Sequence, residues 1–132
     1  MGTFTVGLAQ FVQKTKANAD QVVRQACLSL DRGVVMRTPV DTGRARANWQ
    51  LTINQPATTD LPTTDRSGTS TIAKALAAVQ SAHAGDTVWI MNNLPCAQRL
   101  ENGWSGQAPQ GMVRLTVNEF RKYVDQAAKA VQ

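Results

Sequence analysis

Apolar and small residues recur at Leu8, Phe11, Val12, Thr15, Ala19, Val22, Val23, Ala26, Leu30 and Val34. Steps of three and four trace one face of a helix. Gln13, Lys14, Lys16, Asp20, Arg24, Gln25 and Asp31 fall mostly on the other side. The pattern predicts a long amphipathic helix from about Thr5 to Met36. It must stop before Pro39, which has no amide hydrogen and disfavours helical geometry at Thr38. Val40-Asp41-Thr42-Gly43 then reads as a tight turn, with Asp41 accepting backbone N–H groups two or three residues on and Gly43 taking positive φ. From Ala47 to Asn54 the period changes to two. Ala47, Trp49, Leu51 and Ile53 alternate with Asn48, Gln50, Thr52 and Asn54, the pattern of a half-buried strand.

Residues 55–70 contain Pro56, Pro62, Gly68 and many Ser and Thr residues, so they are expected to form a flexible loop. Ser70 is placed to cap a short helix from Thr71 to Ala82, with Ile72, Leu76 and Val79 as its apolar stripe. Thr87 to Met91 predicts a second strand. The stretch from Asn92 to Gly111 is irregular, with one helical turn expected over Pro95–Leu100. Met112 to Val131 predicts a final amphipathic helix, carrying Val113, Val117, Phe120, Val124 and Val131 on one face. Together these elements imply a single α+β domain over residues 1–132. A small antiparallel sheet packs against a long N-terminal helix and a C-terminal helix, with a short middle helix between them.

Composition narrows the picture. Of 132 residues, 42% are apolar and only 17% charged, below the usual quarter or so. Thr, Gln, Asn and Ala fill the deficit, which suits a surface destined to be buried against neighbours. The formal charge of +5 raises a nucleic-acid partner, but no lysine run exists. The densest basic spot is Arg44 and Arg46, with Arg37 upstream. Cys27 and Cys96 are far apart and form no CxxC pair; both are expected as small buried hydrophobes in a reduced, cytoplasmic setting. No apolar run has the length of a membrane span.

Catalytic chemistry has little to work with. His83 is the only histidine, too few for a zinc site with two distant cysteines. Glu101 and Glu119 are the only glutamates, and the turn aspartates fit capping better than acid–base work. No glycine-rich phosphate loop is present. The expectation is therefore a non-enzyme with no cofactor, no metal and no small-molecule substrate. Two other readings stand beside it. A DNA-binding protein would use Arg37, Arg44 and Arg46 on a phosphate backbone, although Trp49 lies on the apolar side of its strand. A small hydrolase would need a reactive Cys96, for which Arg99 is the only cation fixed nearby in sequence.

Two segments carry a family resemblance. Thr38-Pro-Val-Asp-Thr-Gly-Arg-Ala-Arg-Ala-Asn-Trp49 resembles the PVDTG-R-R-xx-W/S signature of the tail-completion and neck (head–tail joining, minor tail) proteins of long-tailed bacteriophages. Val88-Trp-Ile-Met-Asn-Asn-Leu-Pro-Cys-Ala-Gln-Arg-Leu-Glu-Asn-Gly-Trp-Ser105 resembles that family's NxxPYAxxLExGxS stretch. An AP-x-GM-V segment then leads to the last helix. Cys96 stands where the family often has an aromatic residue. The resemblance implies a structural virion protein, made in the host cytoplasm, that forms a homo-oligomeric ring at the neck or upper tail. Its implied partners are copies of itself, portal or connector proteins and tail-tube or terminator proteins, with non-specific contact to DNA in the channel through Arg37, Arg44 and Arg46. A tail-tube terminator or minor tail protein is the alternative within this class.

On this reading Asp41, Arg44, Arg46, Arg99, Glu101 and Trp104 are candidate subunit-interface residues. Glu101 is expected to pair with Arg44 or Arg46, within the subunit or across to its neighbour, unless it is a solvated surface charge. Trp104 anchors its loop either in the core or at a subunit contact.

Overall fold

The apolar spacing after Ala19 does produce a helix, α1 (Lys16–Arg37). Val22, Val23, Ala26, Cys27, Leu30, Val34 and Val35 are buried along it. The structure, a computed structural model, describes residues 2–7 and 16–130. After α1 come a helical turn α2 (Arg44–Ala47), strand β2 (Trp49–Ile53), helix α3 (Thr69–Val79), strand β3 (Thr87–Asn92), and helices α4 (Cys96–Glu101), α5 (Val113–Asn118) and α6 (Phe120–Ala130). Strand β1 (Gly2–Gly7) precedes them all.

The three strands form one antiparallel sheet in the order β1-β3-β2. Trp49 lies opposite Asn92, Leu51 opposite Ile90 and Ile53 opposite Val88. Alternation sends Trp49, Leu51, Val88, Ile90 and Asn92 to the buried face. Against that face pack α1 and α3, while α6 lies along α1. The core unites Leu30, Val34, Val79, Val88, Ile90, Met112 and Val124. Each fully buried Val, Leu or Ile side chain contributes about 1.5–3 kcal/mol of apolar transfer. The α+β class, the antiparallel sheet and the covering helices match the architecture expected from the sequence.

Several boundaries differ. The N-terminal helix was expected from Thr5, but Thr5, Val6 and Gly7 belong to β1, which pairs with β3 from Gly2↔Asn92 to Gly7↔Thr87. Gly-Thr-Phe-Thr-Val-Gly also alternates with a period of two, and its β-branched residues favour the strand. Leu8, Phe11, Val12 and Thr15 lie outside the described residues, as does Val131 at the other end. Ala47 ends α2 and does not open the strand.

The final helix is two, broken at Glu119. There the Arg37 guanidinium reaches Thr116 and Glu119, and Tyr123 Oη donates to Glu119 as well. In α3 the buried line is Thr71, Ala75 and Val79, with Leu76 47% exposed. Ala75 faces the core there, with Ala78 partly buried against it. Asp31, assigned to the polar face by its charge, is fully buried.

Candidate functional site

The turn after α1 is built from inside the chain. Thr38 Oγ1 donates to the Val34 carbonyl at 2.6 Å and accepts the Trp49 indole N–H at 2.7 Å, closing the end of the helix over the core. Gly43 has φ +89, as the sequence predicts. A Cβ there would also lie 2.6 Å from the Arg66 backbone nitrogen, so only glycine fits. Thr42, rather than the expected Asp41, bonds the turn: its Oγ1 accepts the Arg44 N–H. Asp41 is exposed and forms no ion pair among the described residues.

The three arginines singled out from sequence separate. Arg46 donates to the carbonyls of Met36 and Thr38 at the end of α1, and to that of Arg66. It is a cationic cap on carbonyls that the helix leaves unpaired. Arg44 faces Asp60 at 2.9 Å, with both side chains about half exposed. Arg37 is taken up by Thr116 and Glu119. That bond, after the one from Tyr123, holds the Glu119 carboxyl below the ordinary glutamate range.

Residues 54–68 carry no regular structure, as expected, but they are tied to the fold. Asn48 Nδ2 donates to the Leu61 carbonyl, and Asn48 Oδ1 accepts the Leu61 N–H at 2.6 Å. Asp65, not Ser70, caps α3: it accepts the N–H groups of Gly68 and Thr71 and the Thr71 hydroxyl. Slight burial pushes the Asp65 pKa up, but those bonds outweigh it and hold the carboxyl below its usual value.

Glu101 pairs with neither Arg44 nor Arg46. Its carboxylate accepts the backbone N–H groups of Met112, Val113 and Arg114 at 2.8–2.9 Å. It is the anionic cap of α5, placed where a helix start exposes donors and positive dipole. Gly111, at φ +86, makes the approach possible, because a Cβ would lie 2.4 Å from the Glu101 carbonyl oxygen. The intrachain expectation for Glu101 is thus corrected: three neighbouring amides outcompete a distant guanidinium.

Trp104 is not in the core. It is 76% exposed, with the Arg99 guanidinium 5.6 Å from its ring centroid. The backbone behind it is fixed, since the Trp104 N–H donates to the Arg99 carbonyl and Gly103 N–H to that of Leu100.

The two motif segments meet. Gln107 clasps Val40 by both of its backbone groups: the Val40 N–H donates to Gln107 Oε1 at 2.8 Å and Gln107 Nε2 donates to the Val40 carbonyl at 3.1 Å. Between them opens a mostly apolar groove of about 430 Å³, walled by Pro39–Ala45 on one side and Leu94–Cys96 with Leu100 and Ser105 on the other. Cys96, expected to be buried, is exposed on this wall. It sits at the first position of α4, where Ala97 turns inward instead. No protein-family model, curated protein or solved structure matches the chain.

Outside the groove, one group expected on the polar face of α1 lies in the core instead. Asp31 is buried with neither carboxylate oxygen hydrogen-bonded among the described residues. Burial raises its pKa from 3.8 to about 7. Cys27, one turn earlier, is pushed up to about 12 by burial and by the neighbouring Asp31 charge. The 27-31-35 spacing on the buried side of α1 was the signal available. Among the described residues, no three His, Cys, Asp or Glu side chains are grouped to hold a metal ion. No described helix is long and apolar enough to cross a membrane.

Proposed function

We propose that this chain is a structural subunit of a tailed-bacteriophage virion, assembling as a ring at the neck or upper tail, and that it is not an enzyme. One observation carries the reading. The two segments that resemble the tail-completion and neck family, far apart in sequence, line one apolar groove, and Gln107, two residues past the second, clasps Val40 of the first. Resemblance in two segments that build one surface is worth more than resemblance in two unrelated loops. An open apolar groove beside an exposed tryptophan suits recognition by another protein.

The DNA-contact reading has less behind it. Arg37 and Arg46 direct their guanidinium hydrogens to the protein's own oxygens, and Arg44 faces Asp60. The test is mass spectrometry of purified phage particles together with the mass of the isolated protein in solution. The expected result is the chain present in particles and an oligomer in solution. A chain absent from particles, or a monomer at high concentration that binds neither connectors nor tail tubes, refutes the proposal.

A further inference from the structure

We infer that the groove between the two motif segments receives Trp104 of a second copy of this chain, with Arg99 of that copy meeting Asp41 on the groove rim. The inference builds on the assembly role proposed above and names the contact. On the donor side, Trp104 projects from a loop fixed by the bonds to Arg99 and Leu100. The loop backbone therefore loses little freedom on docking. Arg99 lies over that ring and forms no ion pair among the described residues. The protruding unit is therefore an aromatic ring with a cation attached, and tryptophan and arginine are both enriched at interface hot spots.

On the acceptor side, Val40, Leu94, Pro95 and Leu100 give the groove its apolar walls, and its volume of about 430 Å³ lies in the range that takes small aromatic ligands. Its two charged side chains are Asp41 and Arg44. Asp60 neutralises Arg44, which leaves the rim with the charge of Asp41. An aromatic ring with a positive escort and an apolar slot with a negative rim are complementary, and one chain carries both. That complementarity selects a second copy over an unrelated partner. It also opposes the repulsion that a net +5 subunit would otherwise feel towards its own kind.

The groove contains its own reporter. Cys96 is exposed on its wall, whereas Cys27 is buried, so a maleimide labels only Cys96 in the folded protein. The labelling rate of the isolated full chain is measured from micromolar to millimolar protein, beside its mass in solution. The rate should fall as concentration rises. In Trp104→Ala the protection should need about thirtyfold more protein, the loss expected of a tryptophan hot spot. Asp41→Arg and Arg99→Asp should each weaken protection, and the double swap should restore it. All of these side chains are exposed, so the variants should keep the parent's unfolding midpoint.

Labelling independent of concentration overturns the inference. So does protection that appears only inside particles, or protection that Trp104→Ala leaves unchanged. An oligomer, or a chain found in particles, with Cys96 freely reactive removes this contact and leaves the virion role standing. Protection with the chain absent from particles does the reverse.

Discussion

Replacing Asp31 with asparagine keeps the shape of a fully buried side chain and removes its proton equilibrium. In the folded protein burial holds the carboxyl at a pKa of about 7, against 3.8 when unshielded. Between those values the native state holds a proton that the unfolded state has released. The sign follows: the contribution of Asp31 to stability is full below pH 4, falls as pH rises towards 7, and is level above it. The full drop is about 4 kcal/mol, taking about 1.4 kcal/mol per unit. Water admitted beside α1 would reduce it. Between pH 5 and 7 the loss is about 2 kcal/mol, because the carboxyl is still half protonated at pH 7; that is a large share of the 5–15 kcal/mol typical of a small domain.

The assay is urea unfolding followed by tryptophan fluorescence across that range; Trp49, buried on the sheet, reports the transition. The parent's midpoint should fall with rising pH at constant slope against urea. Asp31→Asn should flatten the curve, because its unpaired amide costs about 1–3 kcal/mol at every pH. The two proteins should therefore diverge as pH rises, with the variant the more stable at pH 8. A parent midpoint that stays level from pH 5 to 7.5 would refute the reasoning. An equal fall in the asparagine variant would do the same.

The caps give further outcomes. Glu101→Ala strips three α5 amides of their acceptor and should cost about 1–2 kcal/mol, with faster hydrogen exchange at Met112 and Val113. Gly111→Ala forces a left-handed residue against the Glu101 carbonyl; a loss above about 2 kcal/mol in urea is expected. Arg46→Ala removes three bonds to carbonyls at the end of α1 and around Arg66 and should cost about 2 kcal/mol. Arg44→Ala should cost less than about 1 kcal/mol, because the Arg44–Asp60 pair is exposed. Below the ordinary carboxylate range the pH trend reverses. Asp65, Asp86 and Glu119 have lowered pKa values, so stability should fall as acid protonates them, visible as a declining thermal midpoint below about pH 4.

Much of this fold is written in short-range pattern. The α1 face, the alternation of Trp49, Leu51 and Ile53, and the positive φ at Gly43 need only neighbours within a few residues. What could not be read is set by partners far along the chain. Glu101 caps amides eleven to thirteen residues away. Arg37 meets the last helix where it breaks at Glu119, 82 residues on. Gly-Thr-Phe-Thr-Val-Gly has the strand period but runs straight into the helical spacing that starts at Leu8, and its pairing with β3 is what assigns it to the sheet. Asp31 shows the opposite failure: its position on the apolar face was visible, and its charge argued it away. Trp104 misleads in the other direction, because a large aromatic between glycines suggests an anchor when the bond that ties Trp104 to Arg99 is made by its backbone.

The two motif segments divide into residues whose bonding is complete within the chain and residues that face outward unmet. Gly43, Arg46 and Glu101 belong to the first group, as do Gln107 and Gly111 just past the second segment; each closes a turn, caps a helix or joins the two loops. Asp41, Cys96, Arg99 and Trp104 belong to the second. A single signature thus mixes positions that hold the groove open with positions that meet whatever enters it, and charge reversal does not test them alike. At Arg46 it sets a carboxylate against three carbonyl oxygens, so assembly would be lost through the fold and the unfolding midpoint would move. At Asp41 or Arg99 the midpoint should stay and association alone should change. Measuring both quantities on the same variants separates the framework of the groove from its contacts.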